Sequence, residues 1–553
     1  MTFRATLFLT ALASASATQT HAAGFFDTAG QTWGTARAGW MATETVAKQV
    51  TGSKLNELAA SRQVPITITL QARNQDQLDR IVADQLTGTG RALTSAEMSA
   101  QFLPTQTDVS AVVTHLAQAG FHDIVVAENR MIITAVGNNK AVKAAFQTPL
   151  MSETSASGVQ YFYNSQQVLV PSQLAGVVRS VTGLQSEEKL QTFMQMREIA
   201  PEMQFTRGMV SAAAVTNAVT YHYPAEFRTL YNANSLKPST AAIAVIVQGN
   251  LTQTLADLKL GMTKAGVSSV NVITRQVGAA SNDISNMGEW NLDTQTIVGI
   301  SGGSLKSLTL YDVPTLSNSD ILAGVNKFVS DNTAKILSIS LGECEAAAKT
   351  SGFIAAMDAV FKIGVAQGQM FSVSTGDSGS SICGAKTVSY PATSPYVVAV
   401  GGTTLTTTSA GAYVSETAWK GSTGGNSAYE AAPTWQSGSN TRKVPDIAFD
   451  GDPNSGAAIY VKGKLAQIGG TSLSAPIFAA LWGQVISNQT KTLSANPTAS
   501  FYKYLPTNAS LFNDIKSGSN GAYSAAAGWD YTTGFGSLNI ANVSAFAAKT
   551  AGF

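Results

Sequence analysis

The chain has 553 residues and a formal net charge of +1; charged residues make up 12% of it, about half of the roughly 25% usual in soluble proteins. That length predicts two or more folding units of about 100–250 residues each. The near balance of acids and bases excludes partners recruited by bulk charge, such as nucleic acid or an acidic membrane.

Residues 1–23 carry Arg4, an apolar stretch from Ala5 to Ala13 and small residues through Ala23, the layout of a secretory signal. No later run reaches about 18 uninterrupted apolar residues, so a soluble protein exported to the periplasm or the medium is expected, without a membrane span. Residues 24–185 then alternate short strands and helices: PITITL, NQDQLDRIVADQL, DVSAVVTHLAQAGF, DIVVAE and RMIITAVG. This order predicts a small α+β unit of split βαβ, ferredoxin-like type. Residues 186–213 lack a strand pattern and are read as a linker, with small residues near its end that suit proteolytic cutting around Val210 to Ala214.

The last unit, residues 214–553, changes character from Ala241. Apolar, β-branched runs (AAIAVIVQG, VNVITRQV, SLTLYDV, AKILSISLG, MFSVSTGD, YVVAVGGT) are separated by helical stretches. Runs apolar on both faces belong to a parallel sheet covered by helices, so a doubly wound α/β domain is predicted. The two cysteines, Cys344 and Cys383, read as a disulfide in an exported protein, with two buried thiols as the other reading.

The sharpest motif is Gly469-Gly470-Thr471-Ser472-Leu473-Ser474-Ala475-Pro476, between strand-like KLAQI and the helical run IFAALWGQVI. A serine at a helix mouth has backbone N–H groups beside it that can hold a developing oxyanion. A plain N-cap serine explains a bare Thr-Ser, but not the whole string. Such a nucleophile needs a base. His21 lies in the signal stretch, His115 and His122 in the small unit, and His222 just after the linker; none follows Ala241, so a Ser-His-Asp triad cannot be built within the α/β core. A carboxylate or a lysine must serve.

Glu289 and Asp293, four residues apart in a helical stretch, project from one face. Most such pairs are a solvated helix face; sharing a proton would instead raise one pKa toward the range of a general base. A third acid, Asp377, lies in Ser374-Thr375-Gly376-Asp377-Ser378-Gly379 at the end of a strand-like run, where doubly wound sheets place their sites, although turn aspartates between glycines are common. Gly-Asp-Ser-Gly is also similar to the nucleophile motif of chymotrypsin-like proteases, but that reading needs an all-β double barrel.

GEWNLD at Gly288–Asp293, STGDSG at Ser374–Gly379, YPATSPYVVAVGGTTL from Tyr390 and IGGTSLSAP ending at Pro476 together resemble the sedolisin family of serine-carboxyl peptidases, over nearly the whole chain. The resemblance implies a subtilisin-like fold, with Ser472 as nucleophile, Glu289 as general base and acid, Asp293 as its orienting partner and Asp377 as a protonated oxyanion donor. The N-terminal unit is then a prodomain covering the site until it is cut away in acid. NDIKSGSNGAYSAAAGWDYTTGFGS is similar to the family's calcium loop, which implies carboxylates from Asp514 and Asp530 and main-chain carbonyls from Ile515, Ala526 and Gly528; oxygen-only ligation suits calcium. Ala526 stands where glycine is expected.

Gln248 and Leu341 depart from one branch of the family and match its bacterial branch, in which Ser340-Leu341-Gly342 is expected to pair with an extended substrate. The expected partners are peptide substrates and the chain's own prodomain, and a monomer is expected. Two other readings remain: a subtilisin-type alkaline protease, and a catalytically silent module on the same scaffold.

Overall fold

The computed structural model describes residues 38–49, 55–155, 158–187, 189–198 and 221–553. The signal expected over 1–23 and the cut expected at 210–214 lie outside the described residues. The N-terminal unit runs β1 (Val64–Leu70), buried at all but one position, then α1 (Gln75–Leu86), α2 (Gln106–Ala119), β2 (His122–Val126), β3 (Ile132–Gly137), α3 (Asn139–Phe146) and β4 (Val178–Thr182). The Thr105 hydroxyl and the Asp108 carboxylate cap the start of α2 reciprocally. The sheet order β2-β3-β1-β4 is antiparallel throughout, as a split βαβ unit requires, and its core includes Ile66, Ile68, Val112, Leu116 and Ile133.

The stretch read as a linker without a strand pattern holds two short strands. Gln191–Thr192 (β5) and Gln195–Glu198 (β6) are strands, because each finds an edge of the C-terminal unit to pair with.

In that unit the apolar runs form β7 (Ala242–Gln248), β8 (Val272–Gln276), β9 (Ser307–Val313), β10 (Ile336–Ile339), β11 (Leu341–Cys344), β12 (Met370–Ser374), β13 (Val398–Thr407), β14 (Tyr413–Ala418), β15 (Ile447–Asp450), β16 (Ala457–Val461) and β17 (Lys464–Gly469). The main helices are α4 (Thr252–Ala265), α5 (Met287–Ile300), α6 (Asn318–Asp331), α7 (Phe353–Ala366) and α8 (Thr471–Ser487). Eight strands make the main sheet in the order β8-β9-β7-β10-β12-β13-β14, with β15 also on β13; only the β13–β14 pairing is antiparallel. This is the expected doubly wound sheet. The buried helix α8 packs on α5 and across β10, β12, β13 and β15, which sets the Ser472 end of one helix beside the acidic start of the other. Cys344 and Cys383 are joined, with their Cα atoms 5.8 Å apart.

The two units share an interface. Leu78, Val82 and Leu86, spaced four apart on α1, leave the small unit's core and join that of the large one. Asp79 pairs with Lys362 at 2.6 Å, Glu128 with Lys327 at 3.2 Å and Glu44 with Lys349 at 3.4 Å; in each pair the acid is on the small unit. Among the described residues no helix is long and apolar enough to cross a membrane.

Candidate active site

The helix α5 is buried along its whole length, so Glu289 and Asp293 are not on a solvated face; both are 0% exposed. Its rotation is fixed by polar tethers: Trp290 Nε1 donates to the Gln248 carbonyl at 2.8 Å, and Asn291 Nδ2 to Asp257 at 2.9 Å and to the Tyr460 carbonyl. The side chain of Gln248 binds Asp283 and Asn286, away from the acid pair. Asp293 Oδ1 accepts a 2.6 Å hydrogen bond from the Ser340 hydroxyl at the end of β10. Neither oxygen of Glu289, nor Asp293 Oδ2, has a hydrogen bond of good geometry. Burial, then the neighbouring charges of Asp293 and Asp377, push Glu289 well above the ordinary carboxyl range, against the opposing pull of the nearby Ser472 hydroxyl and Phe193 N–H. Burial pushes Asp293 up to about 8, opposed by Ser340.

Strand β17 delivers the chain to Ser472 through Gly469 and Gly470. Gly470 has φ +113°, and a Cβ there would stand 1.9 Å from the Phe193 carbonyl oxygen and 2.7 Å from Asp377 Oδ2, so the close approach requires glycine. Ser472 Oγ accepts from the Phe193 N–H at 3.1 Å and reaches the Ser340 carbonyl at 3.5 Å; the Ser472 N–H donates to the Phe193 carbonyl at 3.4 Å.

Asp377 follows β12. Its Oδ1 accepts from the Thr471 N–H at 2.8 Å and from the Thr471 hydroxyl at 2.9 Å, while that hydroxyl accepts from the Gly376 N–H. Oδ2 is shielded from solvent and unpartnered, although the residue as a whole is only half-buried. Burial pushes Asp377 up to about 7, opposed by Thr471 and Gln195. The structure therefore brings Ser472, Glu289, Asp293 and Asp377 together: a hydroxyl, a buried acid pair, and a third carboxyl of raised pKa whose Oδ2 lies, with the Phe193 carbonyl oxygen, against Gly470. His222, expected outside any core element, is fully buried instead, edge-on to Phe227 and bridged to Ala457. Sequence reasoning missed the Ser340 hydroxyl, Thr471 and Phe193; only Thr471, adjoining Ser472, had a signal in the motif.

In the C-terminal loop Asp514 meets Gly528, and Asp530 meets Ala526. The Gly528 N–H donates to Asp514 Oδ1 and the Ala526 N–H to Asp530 Oδ2, both at 3.0 Å. Among the described residues no backbone N–H donates to the carbonyls of Ile515, Ala526 or Gly528, so two carboxylates and three uncommitted carbonyls form a donor set that fits a hard cation. Ala526 lies outside the left-handed region, so alanine is unstrained there, whereas Gly528 has φ +77°.

Comparison with known proteins gives the lineage. The profile of the Pro-kumamolisin activation domain matches residues 51–187, and that of the Subtilase family matches 272–536. The chain is 40% identical to sedolisin of Pseudomonas sp. (strain 101) over 530 residues, 89% of this chain and 88% of that protein. It is 37% identical to xanthomonalisin of Xanthomonas sp. (strain T-22), over 90% of this chain and 67% of that one, and 30% identical to kumamolisin of Bacillus sp. (strain MN-32), over 87% and 91%. The solved structure of Pseudomonas sedolisin, a serine-carboxyl proteinase complexed with pseudo-iodotyrostatin, superposes on 61% of this chain and all of its own with a TM-score of 0.58 at 42% identity. With an activation domain ahead of a subtilisin-like sheet, and 40% identity to sedolisin over most of both chains, the chain belongs to the sedolisin family of serine-carboxyl peptidases.

Proposed function

We propose that the chain is the exported precursor of an acid-active endopeptidase in which Ser472 is the nucleophile, Glu289 the general base and acid, Asp293 its partner and Asp377 an oxyanion donor. The observation that carries this reading is the unpartnered Oδ2 of Asp377, which lies against Gly470 together with a peptide carbonyl oxygen that accepts from the Ser472 N–H beside the nucleophile. Ser472 Oγ attacks the carbonyl carbon and its proton passes to Glu289. The oxyanion is held by the Ser472 N–H and the Asp377 O–H. Glu289 then returns the proton to the departing amine, leaving an acyl-enzyme that water cleaves by the same steps in reverse. Asp293, held by Ser340, is the second carboxyl of the pair and keeps a proton in acid.

Acid suits this set, because Asp377 donates only while neutral. The basic and apolar start of the chain and the Cys344–Cys383 bridge support export. At about pH 4 the purified precursor is expected to shorten itself and to hydrolyse peptides, and the Ser472→Ala precursor to do neither. A Ser472→Ala chain that matures at the wild-type rate would refute self-processing, and an optimum near pH 8 would favour the alkaline subtilisin alternative.

Calcium belongs to the same proposal. Asp514 and Asp530, with the carbonyls of Ile515, Ala526 and Gly528, would hold one ion that ties the C-terminal loop together and takes no part in the chemistry. An ion that binds only the folded state raises stability by mass action. Chelation at neutral pH is expected to lower Tm, Asp530→Ala to lower it equally, and chelation to add nothing to that variant. A melting curve unmoved by either change rejects the site.

A further inference from the structure

The segment that carries Phe193 does more than cover the site. Upstream, the Leu190 N–H donates to the Leu316 carbonyl at 3.0 Å, and Gln191 and Thr192 pair antiparallel with Gly342 and Leu341. Downstream, Gln195 to Glu198 pair antiparallel with Gly469 to Ala466, the strand leading into Ser472. The backbone is thus registered on both sides of one bond, as an extended substrate is when it adds to a sheet edge. At the centre, the Phe193 N–H donates to Ser472 Oγ and its carbonyl oxygen accepts from the Ser472 N–H, and that oxygen and Asp377 Oδ2 both lie against Gly470.

The side chains around that bond are held too. Leu190 is buried within the core of the C-terminal unit, and Phe193 is buried with its ring so close to Gly342 that a Cβ there would stand 2.7 Å from it. Met194 Cε stands 2.6 Å from where a Gly288 Cβ would be. Gln191 is exposed, and the Gln195 side chain reaches Asp377. Two glycines therefore make room for a bulky apolar side chain on each side of the bond.

We propose that Phe193–Met194 is the first bond this enzyme cuts, within its own chain, and that Gly342 and Gly288 select bulky apolar residues on the two sides of the scissile bond. The inference rests on the proposed roles of Ser472, Glu289 and Asp377. In the cut, the bond between the Phe193 carbonyl carbon and the Met194 nitrogen breaks as Ser472 Oγ bonds to that carbon, and the serine proton leaves on the Met194 amine by way of Glu289. Water then releases Phe193 as a carboxylic acid. The 194–198 stretch stays paired with β17 until a later cut, expected within 210–214, removes it.

The test is the N-terminal sequence and mass of the large fragment at the earliest times after wild-type precursor is brought to about pH 4. A fragment beginning at Met194, formed at a rate independent of precursor concentration, is expected. Phe193→Asp is expected to slow that cut at least about tenfold, because a pocket built for an apolar group leaves a carboxylate unpaired. Matured wild-type enzyme is expected to cleave Leu-Gln-Thr-Phe-Met-Gln at the Phe–Met bond, at least about tenfold better than the peptide with Asp for Phe. Gly342→Ala is expected to depress kcat/KM for that peptide more than for one with Ala for Phe. A first fragment beginning elsewhere, or a rate proportional to concentration, overturns the inference while peptide hydrolysis upholds the proposed function. An enzyme that cuts neither itself nor any peptide fails at the level of the function.

Discussion

Glu289→Gln is expected to lower kcat of the matured enzyme by roughly 10²–10⁴, the usual range for a positioned general base. The amide has the size of the carboxyl but cannot take the serine proton, and the helix that carries it is tethered through Trp290 and Asn291, so the geometry should survive. The variant cannot mature itself and would be matured by added wild-type enzyme before assay. Stability gives the second readout. A buried carboxyl whose folded pKa is raised contributes its full share of stability below the unfolded value near 4, and that share is lost as pH rises toward the folded pKa. Glu289 is raised well above the ordinary range and Asp293 to about 8, so the unmatured wild type gives up stability between about pH 4 and 8. In a Ser472→Ala background, which keeps the precursor intact, Glu289→Gln should therefore leave Tm nearly unchanged at pH 4 and raise it at pH 7. A kcat within tenfold of wild type, with this Tm pattern, would remove Glu289 from the role of base.

Much of this architecture is legible in the sequence, and the parts that are not have a common physical cause. The buried parallel strands announce themselves in runs such as β7, apolar on both faces up to Gln248, and the acid pair because Glu289 and Asp293 share a helical face. Hidden was the burial of that helix. Its polar residues look solvated until Asp257, Tyr460 and Ser340, from distant elements, arrive to bind them. The same holds for β5 and β6. Neither has a period of its own, and each is a strand only because an edge about 150 or 270 residues further along the chain receives it. Phe193 is a site residue by position alone, so no motif marks it. Ala526, which breaks an expected glycine, causes no strain because its backbone never needed the left-handed region, whereas Gly528, two residues on, does.

For Asp377 the informative comparison is between two substitutions. Its proposed task is to donate one hydrogen bond from Oδ2 while Oδ1 stays fixed by Thr471, so removing the carboxyl should cost about what one oxyanion donor is worth. Asp377→Ala is expected to reduce kcat by roughly 10²–10³ with little change in KM, since the missing bond matters most when charge develops on the carbonyl oxygen. Asn keeps a donor at every pH. Asp377→Asn should therefore retain more activity than Asp377→Ala, and its activity should decline less steeply between pH 4 and 7, because Asp377 in the wild type loses its proton as pH rises through about 7 and the variant has none to lose. The assay calls for matured enzyme and a small peptide, so that prodomain release does not enter the rate. One geometric point sharpens the outcome: the Thr471 N–H and hydroxyl both address Oδ1, which selects the amide orientation that puts oxygen on Thr471 and NH2 on the substrate. If Asn proves as inactive as Ala while melting like wild type, donation is not the role of Asp377, and the residue must pass a proton on to the substrate instead.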